Sequence, residues 1–251
     1  VSLTADETAA LLGEVLRPYH LRADEVLLTA LGLALCEWTR SGSVLIGVES
    51  HGREELFADL HPARTIGWFT SLAPVLLELP PDGGPGASLI AVKEQLRRVP
   101  HRGIGHGLLR YLGDPVMVRR LRAQPAPEVV FNFLGRLGQA VPDSALFVPA
   151  PEAVGSGRDP LAPRTHILEV NSSIVSNELH IEMTYGTDLH HAATIDRLTR
   201  SLETHLHALM EHCRSAAAGR LTPSDFPLAE LDQQKVDKIV ARFSSKRGGE
   251  R

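Results

Sequence analysis

An α/β fold, with a mixed β-sheet and long helices packed against it, is predicted by three features of this 251-residue sequence. Short β-type apolar runs alternate with segments of helical period, one pair of runs flanks a two-residue turn, and one long segment carries leucines at helical spacing. The composition is 43% hydrophobic and 22% charged, which suits a buried core without disulfide or metal staples. Residues 1–230 read as one unit and residues 231–251 as a C-terminal helix and tail.

Thr4 with Glu7 forms a capping box opening a helix whose stripe is Leu11, Leu12, Val15 and Leu16, closed by Pro18. Asp24 is the expected N-cap of a second helix, with Leu27, Ala30, Leu31, Ala34 and Trp38 on one face and an end near Ser41-Gly42. Val44 to Val48 reads as a buried strand that runs out into a polar turn, Glu49 to Glu54. Leu72 to Leu79 is a second strand, stopped by the Pro- and Gly-rich tract Pro80 to Gly86. Ser88 to Arg98 is a short helix and Val129 to Leu134 a strand; Ala140 to Pro163 is a long irregular excursion of the kind that serves function or covers another surface. His166 to Val175 and Glu178 to Tyr185 flank Ser176-Asn177 as an antiparallel hairpin. Thr194 is the expected cap of a helix with Ile195, Leu198, Leu202, Leu206, Leu209 and Cys213 along one side. Thr222 to Pro227 is a turn, and a last helix covers roughly Glu230 to Phe243.

A formal net charge of −4 gives no reason to expect nucleic acid or an anionic membrane as partner. No apolar run is long enough to span a bilayer, and no basic region followed by an apolar stretch opens the chain. Val1 in place of Met reads as a fragment or a processed chain. Cys36 and Cys213, each within an apolar helical pattern, read as core residues and point to a reducing, cytoplasmic setting. No histidine pair has metal-site spacing, and no metal is expected; His190-His191 should be solvent-exposed, and His205 and His207 should decorate a polar helix face.

The candidate chemistry lies elsewhere. Glu49, at a strand end, is either a general acid/base raised by partial burial or part of a solvated turn in which Arg53 pairs with a glutamate. Arg64 to Ser71 sets Gly67 beside Trp68 and Phe69, as the floor of a substrate channel or an aromatic anchor on the core. Gly103 to Gly107 has spacing G-x-G-x-G, which is not a dinucleotide fingerprint; its backbone should pack against a neighbouring strand. Asn132 is either a satisfied sheet residue or a donor lining a channel.

In order, six segments resemble the epimerization domains of nonribosomal peptide synthetases, within the condensation-domain superfamily: Asp24 to Ala30, Glu49 to Glu54 (E-G-H-G-R-E in the family), Arg64 to Pro74, Pro100 to Gly107, Phe131 to Gly135, and Leu221 to Leu228. The resemblance implies a chloramphenicol-acetyltransferase-like fold of two lobes around a tunnel, of which this chain resembles the C-terminal lobe. The partner lobe would carry H-H-x-x-x-D-G, a string absent here. It further implies Glu49 as catalytic acid/base, with Asn132, His51, Trp68, Ser71 and His106 lining the tunnel. No directly bound cofactor is implied; the substrate would arrive on the phosphopantetheine arm of a peptidyl carrier protein, beside neighbouring synthetase domains. Ser50, His106 and Phe133 stand where the family has Gly, Tyr and Tyr, and Ser50 is expected to crowd the turn if that position needs a positive φ. The resemblance thus implies half of an isomerase acting on the Cα of a carrier-bound aminoacyl or peptidyl thioester, inactive alone. The alternatives are a lobe of a peptide-bond-forming condensation domain and a non-catalytic carrier-docking module.

Overall fold

The computed structural model describes residues 1–59, 61–137, 162–215, 218–229 and 231–247, with single positions at 152, 155 and 159. The predicted excursion Ala140 to Pro163 therefore lies almost wholly outside the described residues.

Strand β1 (Ser2–Leu3) leads into α1 (Ala5–Leu12), which Thr4 and Glu7 cap reciprocally as expected. This helix ends at Gly13 rather than Pro18, although Val15 is still buried beyond it. Helix α2 (Ala23–Thr39) is capped by Arg22, not Asp24: Glu25, three residues on, accepts the Arg22 backbone N–H at 2.7 Å. Strand β2 (Ser43–Ser50) pairs antiparallel with β3 (Ser71–Glu78), so Glu49 and Ser50 belong to a strand and not to a turn. Helix α3 (Gly84–Arg98) follows, then α4 (Ile104–Leu112) and α5 (Pro115–Arg122), a pair of helices the sequence pattern did not announce. Beyond β4 (Val129–Arg136) come β5 (Leu168–Val175) and β6 (Glu178–Tyr185). These last two join through Ser176 and Asn177 with φ of 50° and 68°, the left-handed pair that a two-residue hairpin of matching twist requires. Helix α6 (Ala192–Arg214) starts from His191 in extended conformation, which leaves Thr194 inside its first turn, and it buries every residue of the predicted stripe. The last helix is α7 (Gln233–Arg247).

The six strands form one mixed sheet in the order β1-β6-β5-β4-β2-β3, with β2, β4 and β5 parallel. One face carries Ile46, Val75, Leu77, Phe131, Leu168, Val170, Ile174 and Ile181, all buried. Helices α2, α3 and α6 pack together over this core. Among the described residues no helix covers the opposite face of β3 and β4, and Leu72, Leu76 and Leu134 there are 38%, 52% and 50% exposed. Cys213 is buried, its thiol pushed up to about 11 by desolvation, whereas Cys36 is only half-buried.

A charged cluster ties the C-terminal turn to this frame. Lys93 of α3 is fully buried and its Nζ donates to Tyr19 O (2.7 Å) and to both carboxylate oxygens of Asp225 (2.7 and 2.8 Å). Arg97, one turn on, bridges Glu25 (2.8 Å) and Asp225 (3.2 Å). Burial alone would raise the Asp225 pKa, but the bonds from Lys93 and the Thr222 N–H outweigh it and hold it lowered. With Lys93 removed, a buried carboxylate loses its main partner. Lys93→Met is expected to cost about 3–5 kcal/mol in urea denaturation. A loss below about 1 kcal/mol would show that water compensates the carboxylate.

Candidate active site

Parallel strands β2 and β4 end at the same side of the sheet, where open α/β sheets place their crevices. A cavity of about 560 Å³ opens there. Its walls are Glu49 and His51 from the end of β2, Trp68 and Phe69 from the following loop, Asn132 and Phe133 from β4, the start of α2 at Arg22 to Asp24, and Val99 and Arg102 after α3.

Glu49 is half-buried and its Oε2 accepts a hydrogen bond from Asn132 Nδ2 at 2.8 Å. The β2–β4 register, Val48 opposite Phe131, puts these two side chains side by side across 83 residues of chain. Burial pushes the Glu49 carboxyl above its ordinary value; the charge of His166 works against this and the Glu169 carboxylate adds to it. Of the two sequence readings, the solvated turn paired through Arg53 is not what the structure holds: Arg53 donates instead to the carbonyls of Pro62, Thr65 and Gly67 and lies 4.3 Å over the Phe69 ring. Four contacts from one guanidinium thus hold the loop between β2 and β3 in a fixed shape. Close packing at Gly52 sets the other end of that shape, with φ +63° and space so tight that a Cβ would lie 1.6 Å from Phe69 O. The expected crowding by Ser50 does not arise. Ser50 is an ordinary strand residue whose Oγ meets Ser71 Oγ at 2.8 Å, and the positive φ falls on Gly52.

Of the residues proposed for the site, Glu49, His51, Trp68 and Asn132 converge on the cavity. His51 Nδ1 accepts the Arg53 N–H at 2.9 Å, and Trp68 is 91% exposed at the rim. Ser71 and His106 are not part of the cavity wall: Ser71 is occupied with Ser50, and His106 lies on α4, its pKa lowered by desolvation and by Arg110. Gly103 packs its backbone on β3 as expected, for a Cβ there would lie 2.2 Å from that of Ala73. The residues missed are Arg22, Asp24, Phe133, His166 and Glu169, which only the strand order and the α2 approach bring near. Alternation along β5 was the one signal that Glu169 is directed away from the core face of Leu168 and Val170. His190 is half-buried with its ring 5.5 Å from that of Trp38, not solvent-exposed as expected, while His191 is exposed. Among the described residues no His, Cys, Asp and Glu gather as a metal site, and no helix is long and apolar enough to cross a membrane.

The family model "Condensation domain" matches residues 1–231, and the chain belongs to that family. Its relatives include a linear gramicidin synthase of Brevibacillus parabrevis, 45% identical over 98% of this chain and 3% of that protein. Gramicidin S synthase 1 of Brevibacillus brevis is 36% identical over 95% of this chain and 22% of its own length. Among solved structures, the epimerization domain from the third module of tyrocidine synthetase B aligns with a TM-score of 0.77 and 35% identity, covering 85% of this chain and 47% of that one. The fold is thus the chloramphenicol-acetyltransferase-like one of condensation domains. The chain spans a small part of these synthases and about half of the solved domain.

Two measurements probe this site. Arg53→Lys keeps the charge but not the fork, so amide exchange in residues 54–70 should quicken about tenfold or more, as for the loss of a charge-assisted hydrogen bond. Unchanged exchange would mean that Gly52 packing alone fixes the loop. For Glu49, a folded-state pKa above that of the unfolded chain means stability declines as pH rises from the ordinary carboxylate range through the raised value. Glu49→Gln should therefore melt higher than the parent at pH 7, and the gap should close near pH 4.

Proposed function

We propose that this chain is the C-terminal lobe of an epimerization domain, with residues 231–251 as its C-terminal helix and tail. It inverts the Cα of an aminoacyl or peptidyl thioester together with an N-terminal lobe bearing H-H-x-x-x-D-G. The substrate reaches the cavity on the phosphopantetheine arm of a peptidyl carrier protein, among neighbouring synthetase domains; no cofactor resides in the lobe itself. The observation that carries the reading is the half-buried Glu49, held by Asn132 at 2.8 Å and bounded by an open cavity.

Inversion requires removal of the Cα proton from one face and return of a proton to the other. The thioester carbonyl makes Cα acidic and accepts the electron pair as an enolate, planar at Cα. Glu49 exchanges the proton on one face and the histidine of the second lobe on the opposite face. The raised pKa of Glu49 brings it toward working pH, where an acid/base is most effective. Asn132 occupies Oε2 and leaves Oε1 to face substrate. Trp68, Phe69 and Phe133 supply apolar surface around the cavity. The bare sheet face, with Leu72, Leu76 and Leu134 exposed, is the surface a second lobe would cover.

The test is incorporation of solvent deuterium at Cα of an aminoacyl thioester on a carrier domain, with the N-terminal lobe supplied. Exchange and a mixed D/L product should appear, and Glu49→Gln should lower both by about 10²–10⁴-fold. The 251-residue chain alone should give none. Peptide-bond formation without exchange, unaffected by Glu49→Gln, would establish a condensing domain instead.

A further inference from the structure

The cavity beside Glu49 changes character with depth. Trp68 stands 91% exposed at its rim, whereas Leu28, Ala73, Val75 and Phe131, which also line it, are each 6% exposed or less and form its floor. Strand register builds this floor: Val48 of β2 stands between Ala73 of β3 and Phe131 of β4, so three strands present one apolar row. Leu28 closes it from α2, and Val99 from the end of α3. The wall at Val99 is held in place. His101, Arg102 and Gly103 follow it with φ of 47°, 52° and 83°, three left-handed residues in near succession, and Gly103 packs its backbone against Ala73.

Charge is present on the walls but already partnered. Arg22 donates to Asp24 at 3.1 Å, Arg53 donates to three loop carbonyls, and Arg102 faces Glu54 at 3.8 Å. Asn132 holds Glu49, and Ser50 meets Ser71. None of these groups belongs to the floor. An ammonium or carboxylate carried there would lose its water and meet no counter-charge, whereas hydrocarbon would exchange water for apolar contact. Inversion at Cα adds a geometric demand. Only hydrogen changes face, so the other three substituents need seats that persist through the reaction. The thioester must run to the rim, because its arm is tethered outside, and the amino nitrogen needs polar partners. The floor is left for the side chain.

We propose that the floor formed by Leu28, Val48, Ala73, Val75, Val99 and Phe131 is a side-chain pocket that restricts this lobe to aminoacyl residues with apolar side chains, aliphatic or aromatic. The pantetheine arm is partly hydrocarbon and is the competing occupant. Its amides need hydrogen-bond partners that the floor lacks, which favours the amino-acid side chain. The proposal rests on the epimerase reading for the place of Cα, and not for the pocket itself.

The experiment is solvent-deuterium exchange on leucyl, phenylalanyl, aspartyl and lysyl carrier thioesters, with the N-terminal lobe supplied. The kcat/KM for leucyl and phenylalanyl should exceed that for aspartyl and lysyl by about 10²-fold or more. Val99→Phe narrows the pocket and should lower the phenylalanyl-to-alanyl ratio about tenfold. A readout independent of turnover is calorimetric titration of the 251-residue chain with aminoacyl pantetheine amides, in which nitrogen replaces the thioester sulfur, and with pantetheine alone. The leucyl and phenylalanyl amides should bind about tenfold or more tighter than the charged amides and than pantetheine itself. Equal exchange across the four thioesters would strike out the pocket and leave the epimerase. Selective binding of the apolar amides with no exchange would strike out the epimerase and leave the pocket. Pantetheine binding as tightly as its leucyl amide would assign the floor to the arm and overturn the proposal. An unchanged ratio in a Val99→Phe chain that melts like the parent overturns it too.

Discussion

Everything at the site depends on the parallel pairing of β2 with β4. Three register positions, Ile46 with Val129, Gly47 with Val130 and Val48 with Phe131, join segments separated by a strand, three helices and their loops. Such non-local pairing is entropically slow to form, and no local sequence signal specifies it. Once formed, it puts Asn132 beside Glu49 and aligns the ends of both strands at the cavity. Gly47 makes close approach possible, since a Cβ there would already lie 3.2 Å from Leu72 and Pro127 side-chain atoms.

The site is layered around that pairing. The α2, α3 and α6 layer buries one sheet face and makes the strands rigid. Partial burial at the strand end raises the Glu49 pKa, while Asn132, a neutral donor, orients the carboxylate without pinning it as a cation would. Above it, Arg53 satisfies three loop carbonyls that would otherwise require water, so the cavity wall is shaped before any ligand arrives.

Where the signal was local, the sequence was legible. The six-residue apolar stripe of α6, the Thr4–Glu7 box and the Ser176-Asn177 turn each follow from neighbouring residues, and the structure has all three. Where two local rules competed, the reading slipped by a residue or two: Glu25 captured the N–H of Arg22 and so moved the α2 cap off Asp24. Helices α4 and α5 were hidden because Gly105, Gly107 and Gly113 lower helix propensity and their apolar residues do not pack inward. For the site, Glu49, His51, Trp68 and Asn132 were within reach through motif resemblance. Ser71 and His106 were not separable from them, because a motif reports neighbourhood in the chain and not the direction of a side chain. His166 and Glu169 depend on the neighbouring strand β5, which no motif marked.

The Lys93–Asp225 contact constrains where such a chain can be recombined with a relative. Its two halves lie 132 positions apart, and each is satisfied chiefly by the other. A recombination junction that falls between them and brings in an unmatched residue strands a charge in the core. Junctions beyond Asp225 leave the ion pair whole. The turn at Thr222 to Phe226 thus closes the span that this ion pair requires to be inherited as one piece.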